Sequence, residues 1–401
     1  MKRRRELLLV LAACALSLVA GYLLKSQCTH ITWDGSQYGR LCYNDIQALY
    51  EVRGLSGDRF VYIHGKLTPE GLVGGAIEYP VATGVFMWLT SRPVSNGADY
   101  LAVSALALAP FGLLTAFLLH DLSGRRALLW ALAPALVLYA FHNWDLLAVA
   151  AVSGGVWLWS RQRPLAAAMA FGFGAATKLF PALLLAPLAA DRWVKGDKRG
   201  AWATAALGAA TFGALNLYFF VANFDGWWAT YAFHSRRAAD FNAFYTWGFA
   251  GLASDPETLN LVSLGLSVIS WVLALVWGWR RRTASAYPFL QVGAALVAAF
   301  LLWTKVHSPQ YALWILPFFV LLRVSPAWWL SYALADLAVY VGIFRWFYDF
   351  SRTGDQVSWT PAKTLLVTGV WGRVVLLACL FVVFARAPSA LRSGLPRQAR
   401  P

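Results

Sequence analysis

Acidic residues are scarce in this chain: 19 Asp and Glu stand against 34 Lys and Arg, and only 13% of the 401 residues are charged. Soluble domains carry roughly a quarter charged residues. With 59% hydrophobic residues and a mean hydropathy of +0.54, a water-soluble globule of this sequence would aggregate. A polytopic helical membrane protein is the class that remains. Asp-x-Asp occurs nowhere, which excludes the usual metal–nucleotide site of soluble sugar transferases. There is no Walker loop, no G-x-G-x-x-G, no H-E-x-x-H and no C-x-x-C. These absences exclude the common nucleotide loops, zinc-protease helices and paired-thiol sites. Cysteine is rare as well. Cys14 and Cys379 lie in apolar runs and read as packing residues, whereas Cys28 and Cys42 share one loop and can pair on an oxidising face.

Twelve apolar runs fill the chain: residues 7–24, 100–119, 127–141, 146–160, 165–176, 180–190, 201–221, 259–279, 287–303, 311–322, 327–344 and 362–384. Lys- and Arg-rich loops face the cytoplasm by the positive-inside rule. They are Lys2–Arg5, Arg125-Arg126, Arg161–Arg163, Arg192–Arg199, Arg280–Arg282, Arg323 and the tail from Arg386. These loops account for most of the net charge of +15, so a nucleic-acid partner is not expected; contact with membrane lipids is. Fourteen of the acidic residues then fall on the outer side, together with the long polar loops. The expected fold is all-α and polytopic, with about 12 transmembrane helices, short hairpin or re-entrant segments and a long first extracytoplasmic loop. One integral membrane domain covers residues 1–385, with outer loops at 25–99 and 222–258, and a basic cytoplasmic tail follows at 386–401. Both termini lie inside the plasma membrane, and the first span is expected to stay uncleaved. Tryptophans at the ends of runs, such as Trp33, Trp88, Trp277 and Trp279, fit an interfacial belt.

Several runs are too short for a hydrocarbon core that takes about 20 helical residues to cross. The pair 165–176 and 180–190 must turn at Thr177–Pro181, and the pair 127–160 at His142-Asn143-Trp144-Asp145. Both tips then sit below the outer surface, where polar backbone is tolerated only beside protein or a water-filled cavity. An outward-facing cavity sunk into the bilayer is expected. Thr304–Pro309 echoes the Thr177–Pro181 tip, but the flanking runs do not repeat, which argues against an inverted-repeat transporter.

Candidate chemistry gathers on these outer segments. Asp45, amid Tyr43, Asn44 and Ile46, suits either a desolvated general base or the N-cap of a following helix. Glu78, before Tyr79-Pro80, is a second acidic candidate. Lys178 and Lys305 stand at hairpin tips, where a cation is costly unless it meets water, an anion or the headgroups. His234, Arg236 and Arg237 lie in an aromatic outer loop, and His307 stands two residues after Lys305. Guanidiniums suit phosphate oxygens. Asp336 and Arg373 fall near the centres of the last two runs and read as a structural ion pair.

Together, Asp45, Glu78-Tyr79-Pro80, Asn143-Trp144-Asp145, Thr177–Pro181 and Lys305–Tyr311 resemble glycosyltransferase family 87, a group of actinobacterial polyprenyl-phosphate-mannose-dependent mannosyltransferases with the GT-C fold. The resemblance runs from about Cys42 to Tyr311. It implies an inverting α-mannosyltransferase of the cell envelope, with Asp45 as base and a glycolipid or glycan as acceptor. Lys178, Lys305, His307, Arg236 and Arg237 would hold the donor phosphate. Glu78, Tyr79, Asn143, Asp145, His234, Gln310 and Tyr311 would line the substrate site. No cofactor or metal is implied, since the lipid-phosphate sugar is a co-substrate. A polyprenyl-phosphate arabinofuranose donor, or a lipid-linked sugar transporter or flippase, are the alternatives.

Overall fold

In a computed structural model the described residues are 2–392, so the end of the basic tail expected at 386–401 lies outside them. Helices of eight or more residues are numbered here in chain order. They are α1 (Lys2–Ser26), α2 (Asp45–Val52), α3 (Val81–Ser91), α4 (Gly97–Ser123), α5 (Leu146–Ser160), α6 (Pro164–Thr177), α7 (Leu185–Val194), α8 (Lys198–Ala222), α9 (Phe224–Arg236), α10 (Pro256–Arg280), α11 (Phe289–Trp303), α12 (Ala312–Leu321), α13 (Pro326–Thr353) and α14 (Pro361–Arg386). A two-stranded antiparallel hairpin, Lys66–Thr68 with Gly71–Val73, interrupts the all-helical pattern in the first loop.

The long helices announce themselves locally. Asp255, Ser325 and Thr360 each accept backbone N–H bonds at a helix start, and each is followed by proline at the first helical position. Among the described residues, six helices are long and apolar enough to cross a membrane: α1, α4 with its continuation to Ala131, α8, α10, α13 and α14. The remaining apolar runs are shorter than the twelve expected spans require. The run at 127–141 is broken into Gly124–Ala127, Leu128–Ala131 and Pro134–Tyr139, with Pro134 starting the last piece. The run from Phe180 opens as a 3-10 turn through Leu184 before α7. The fourteen residues of α6 rise only about 21 Å.

The bundle has two distinct ends. At one, Arg3 and Arg161 pair with Asp121, and Arg125 and Arg392 pair with Glu6. α1 starts here and ends, 25 residues later, against the outer segments. At the other end lie the first loop, α9 and the tips between short helices. Cys28 and Cys42 form a disulfide in that first loop. α13 and α14 pack closely: a Cβ on Gly342 would come within 2.4 Å of the Leu366 nitrogen. Between them Arg373 Nη1 meets Asp336 Oδ1 at 3.3 Å and Nη2 donates to the Asn242 carbonyl at 2.8 Å. Both charges are buried, and pairing is what makes their burial tolerable.

Candidate active site

The end opposite the arginine cluster encloses a cavity of about 920 Å³. Seven separated segments build its wall: the first loop (Tyr43, Asp45, Glu78, Tyr79), His142, the Lys178 tip, α9 with the turn after it (His234, Arg237, Asp240), α10 (Asn260, Leu264), the stretch from Phe300 to Trp314, and α13 (Phe344, Phe347). The wall is assembled from parts of the chain far apart in sequence.

Asp45 stands at the start of α2, but it is not the cap. Asn44 takes that role, in extended conformation, accepting the Gln47 N–H at 2.8 Å. This removes the capping account of Asp45 and leaves its carboxylate for the cavity. The Asp45 backbone N–H donates to the His142 carbonyl at 2.8 Å, which ties the first loop to the tip at 142–145. Asn143 Nδ2 donates to Asp45 Oδ2 at 2.8 Å and lies 2.7 Å from the Tyr79 hydroxyl; that hydroxyl is 3.5 Å from the same carboxylate oxygen. Burial raises the Asp45 pKa, against the opposing effects of Asn143, Tyr43, Lys178 and Lys25.

Lys178 projects from the tip between α6 and the turn at Phe180. Its amine is 3.5 Å from Asp145 Oδ2 and sits over the rings of Tyr79 (4.3 Å) and Tyr311 (6.0 Å). Asp145 is in turn held by the Trp314 indole N–H at 2.6 Å. Trp314 stacks on Tyr311 and on Phe180, with ring centres 3.8 and 4.2 Å apart, giving one flat aromatic wall. Lys305 does not snorkel outward. It donates to the carbonyls of Ser235 (3.2 Å) and Arg237 (2.6 Å), so it closes the C-terminal end of α9 while lining the cavity. His234 Nε2 meets the Glu78 carbonyl at 2.8 Å; burial lowers its pKa to about 4, so the ring is neutral.

Several expected site residues stand elsewhere. Arg236 is exposed and does not line the cavity; its neighbour Arg237 does. His307 is turned away, with Nδ1 against the Leu301 carbonyl at 2.9 Å, in a small space shared with Asn242 and Arg373. Asn143 and Asp145 are fully buried behind the wall, acting on Asp45 and Lys178 rather than on the cavity. The Glu78 carboxylate is clasped by Arg53, Nε at 2.6 Å and Nη2 at 3.0 Å, leaving a structural pair at the rim. Gln310 and Tyr311 both line the cavity. Sequence reading missed Tyr43, His142, Trp314 and Asp240. His142 lay inside a noted tip, but nothing near Asp240 in sequence marks it. Its backbone N–H donates to the Lys305 carbonyl at 2.9 Å, and burial raises the pKa of its carboxyl against nearby Arg237.

On one side the cavity lining includes Leu179 and Leu264, which are 50% and 59% exposed. Below Leu264, α10 presents Val268, Ile269, Val272 and Leu273 outward. The cavity therefore opens sideways onto an apolar flank between the Lys178 tip and α10.

A carboxylate held by an amide thus shares one cavity with cations and an aromatic wall. Neither a curated protein nor a solved structure matches the chain. The profile of glycosyltransferase family 87 matches residues 78–309, which include the tips bearing Asn143, Lys178 and Lys305 together with all of α9 but stop short of Asp45. That match covers more than half of the chain, and the protein belongs to glycosyltransferase family 87.

Proposed function

We propose that this membrane glycosyltransferase moves mannose from polyprenyl-phosphate mannose to a hydroxyl of a glycolipid or cell-envelope glycan, on the extracytoplasmic face of the plasma membrane. The observation that carries this reading is the opposition of Asp45 to Lys178, Arg237 and Lys305 within one cavity that opens sideways to lipid. Asp45 takes the proton of the acceptor hydroxyl, and the hydroxyl oxygen attacks the anomeric carbon. The bond from that carbon to the phosphate oxygen breaks, and the electron pair leaves with polyprenyl phosphate. A single displacement inverts the anomeric centre. The cations offset the charge that grows on the leaving phosphate. Asn143 and Tyr79 orient the base, and the Tyr311–Trp314–Phe180 wall offers a flat surface to a sugar ring or an isoprenoid.

Metal independence belongs to the same proposal. Lys178, Arg237 and Lys305 all line the cavity and are the groups proposed to meet the phosphate in place of a metal ion. The topology follows the charge asymmetry, with both termini and the arginine end cytoplasmic. The GT-C-type arrangement of twelve passes then requires the short hairpins at 127–160 and 164–194 to cross only part of the bilayer.

Incubating purified protein with polyprenyl-phosphate mannose and a panel of phosphoinositol-mannoside and glycan acceptors, with mass detection, tests the reading. Transfer is expected, unaffected by EDTA. Asp45→Asn should lower turnover by a factor of about 10² to 10⁴ while donor binding persists. Because burial raises the Asp45 pKa, kcat/KM should fall on acidification at a pH above the ordinary carboxylate value of about 4. Transfer only from polyprenyl-phosphate arabinofuranose would reassign the donor. Donor binding without any turnover would favour a transporter.

A further inference from the structure

The most unusual charge outside the cavity is Lys25. It stands one residue before the end of α1 and its side chain is completely buried. No carboxylate lies within ion-pair distance of it among the described residues. Its amine instead donates to two acceptors, the Tyr43 carbonyl at 3.0 Å and the Tyr340 hydroxyl at 2.8 Å, and His142 Nδ1 stands 3.4 Å away. The Tyr340 hydroxyl spends its own proton on the Leu41 carbonyl at 2.5 Å, so it meets Lys25 as an acceptor. Burial and the neighbouring Lys25 hold the His142 pKa well below the usual histidine value, so its ring is neutral, and its Nδ1–H donates to the same Tyr43 carbonyl at 3.1 Å. Both partners of Lys25 are acceptors, as an ammonium group requires.

The residues that hold Lys25 also hold the base. Tyr43 is two positions before Asp45, and the His142 carbonyl accepts the Asp45 backbone N–H at 2.8 Å. Lys25 therefore sits one hydrogen-bonded layer behind the carboxylate, away from substrate, since it does not line the cavity. We propose that Lys25 is a positioning residue, a buried amine behind Asp45 that carries positive charge while the base is ionised, favours the ionised carboxylate and anchors the loop that carries it. The proposal rests on the reading of Asp45 as general base. Other groups facing Asp45 are Tyr38 and Tyr43 from the first loop, Tyr79 before α3, Asp145 beside His142, and Lys178 across the wall. Lys178 supplies a second cation, but Asp145 at 3.5 Å offsets it. An uncompensated charge in low dielectric acts over a longer distance than one in contact with its counter-ion.

The test is the pH profile of kcat/KM for four purified full-length proteins: wild type, Lys25→Met, Tyr340→Phe and Asp45→Asn. Lys25→Met keeps the stem and removes the charge. Its acid limb should move up by about one pH unit, which is about tenfold lower activity below the limb and recovery toward wild type above it. Tyr340→Phe removes one partner of Lys25 but keeps the cation, so its limb should stay with wild type. A Lys25→Met profile lowered equally at every pH, or unchanged, would overturn the proposal and leave Lys25 as a loop staple. If Asp45→Asn retains wild-type turnover and the wild-type limb, the general-base reading fails instead. Should Lys25→Met not fold, Lys25→Gln, which retains a donor for Tyr43, takes its place with the same two outcomes.

Discussion

Lys178 is stabilised from several sides at once, by Asp145 at 3.5 Å and by the faces of Tyr79 and Tyr311. A buried pair of this kind is costly to break from one side, typically by 3–5 kcal/mol, because the remaining charge is stranded. Lys178→Met should therefore weaken donor binding and also lower the melting temperature. Lys178→Met combined with Asp145→Asn removes both charges and should restore most of the stability while donor affinity stays low. Thermal unfolding and lipid-phosphate binding on the two variants separate these effects. If the double variant binds donor like wild type, Lys178 has no part in holding phosphate. The residue scale also shows why neighbours in sequence can differ in role. Asn44 does the capping, so Asp45 does not have to; Arg237 reaches the cavity, whereas Arg236 points into solvent.

At the scale of elements, α9 is the clamp on the first loop. Asn223, just before it, donates to the carbonyls of Tyr62 and Gly65, both at 2.9 Å, and Thr230 donates to the Ile77 carbonyl at 2.7 Å. His234 then reaches the Glu78 carbonyl, so the stretch carrying Tyr79 is pinned along its length. The contact is close enough to need glycine: a Cβ on Gly226 would fall 1.9 Å from the Tyr62 carbonyl oxygen. Gly226→Val should lift α9 off the loop, at a cost of about 1–3 kcal/mol for overpacking. Activity should drop more than stability, because Tyr79 and the rim lose their register. Faster proteolysis within the first loop would report the release; an unchanged digestion pattern with full activity would show that the clamp is dispensable.

For the whole molecule, the separation of charge between two ends makes a topological prediction. Gly57 is exposed beside the cavity end, and Ser285 is exposed in the arginine-rich turn after α10. Cys28 and Cys42 are bonded and Cys14 is buried; Cys379 is free and only half-buried, so Cys379→Ser is the background for the labelling. Gly57→Cys should label with an impermeant thiol reagent in intact cells, and Ser285→Cys only after lysis. The reverse pattern would put the cavity on the cytoplasmic side and remove an extracytoplasmic donor from consideration.

Composition and run length alone determined the membrane class and the long helices, because hydrocarbon thickness and the cost of burying charge act on local stretches of chain. The family was legible too, in the ordered tips at 142–145, 177–181 and 305–311. Short run lengths also pointed to a cavity near the tips at 142–145 and 177–181, and a cavity is lined there. Only the tertiary structure decided which side chains face it. His307 and Lys305 are two residues apart, yet one packs toward Arg373 and the other lines the cavity. Asp240 carries no local mark, and Lys25 reads in sequence as an ordinary basic residue at a helix end. Their partners come from other segments of the chain, as when Asp240 meets Lys305 and Lys25 meets Tyr340, and no periodicity records such a meeting. Hydrophobic pattern is a property of neighbours along the chain, whereas a site is a property of neighbours in space.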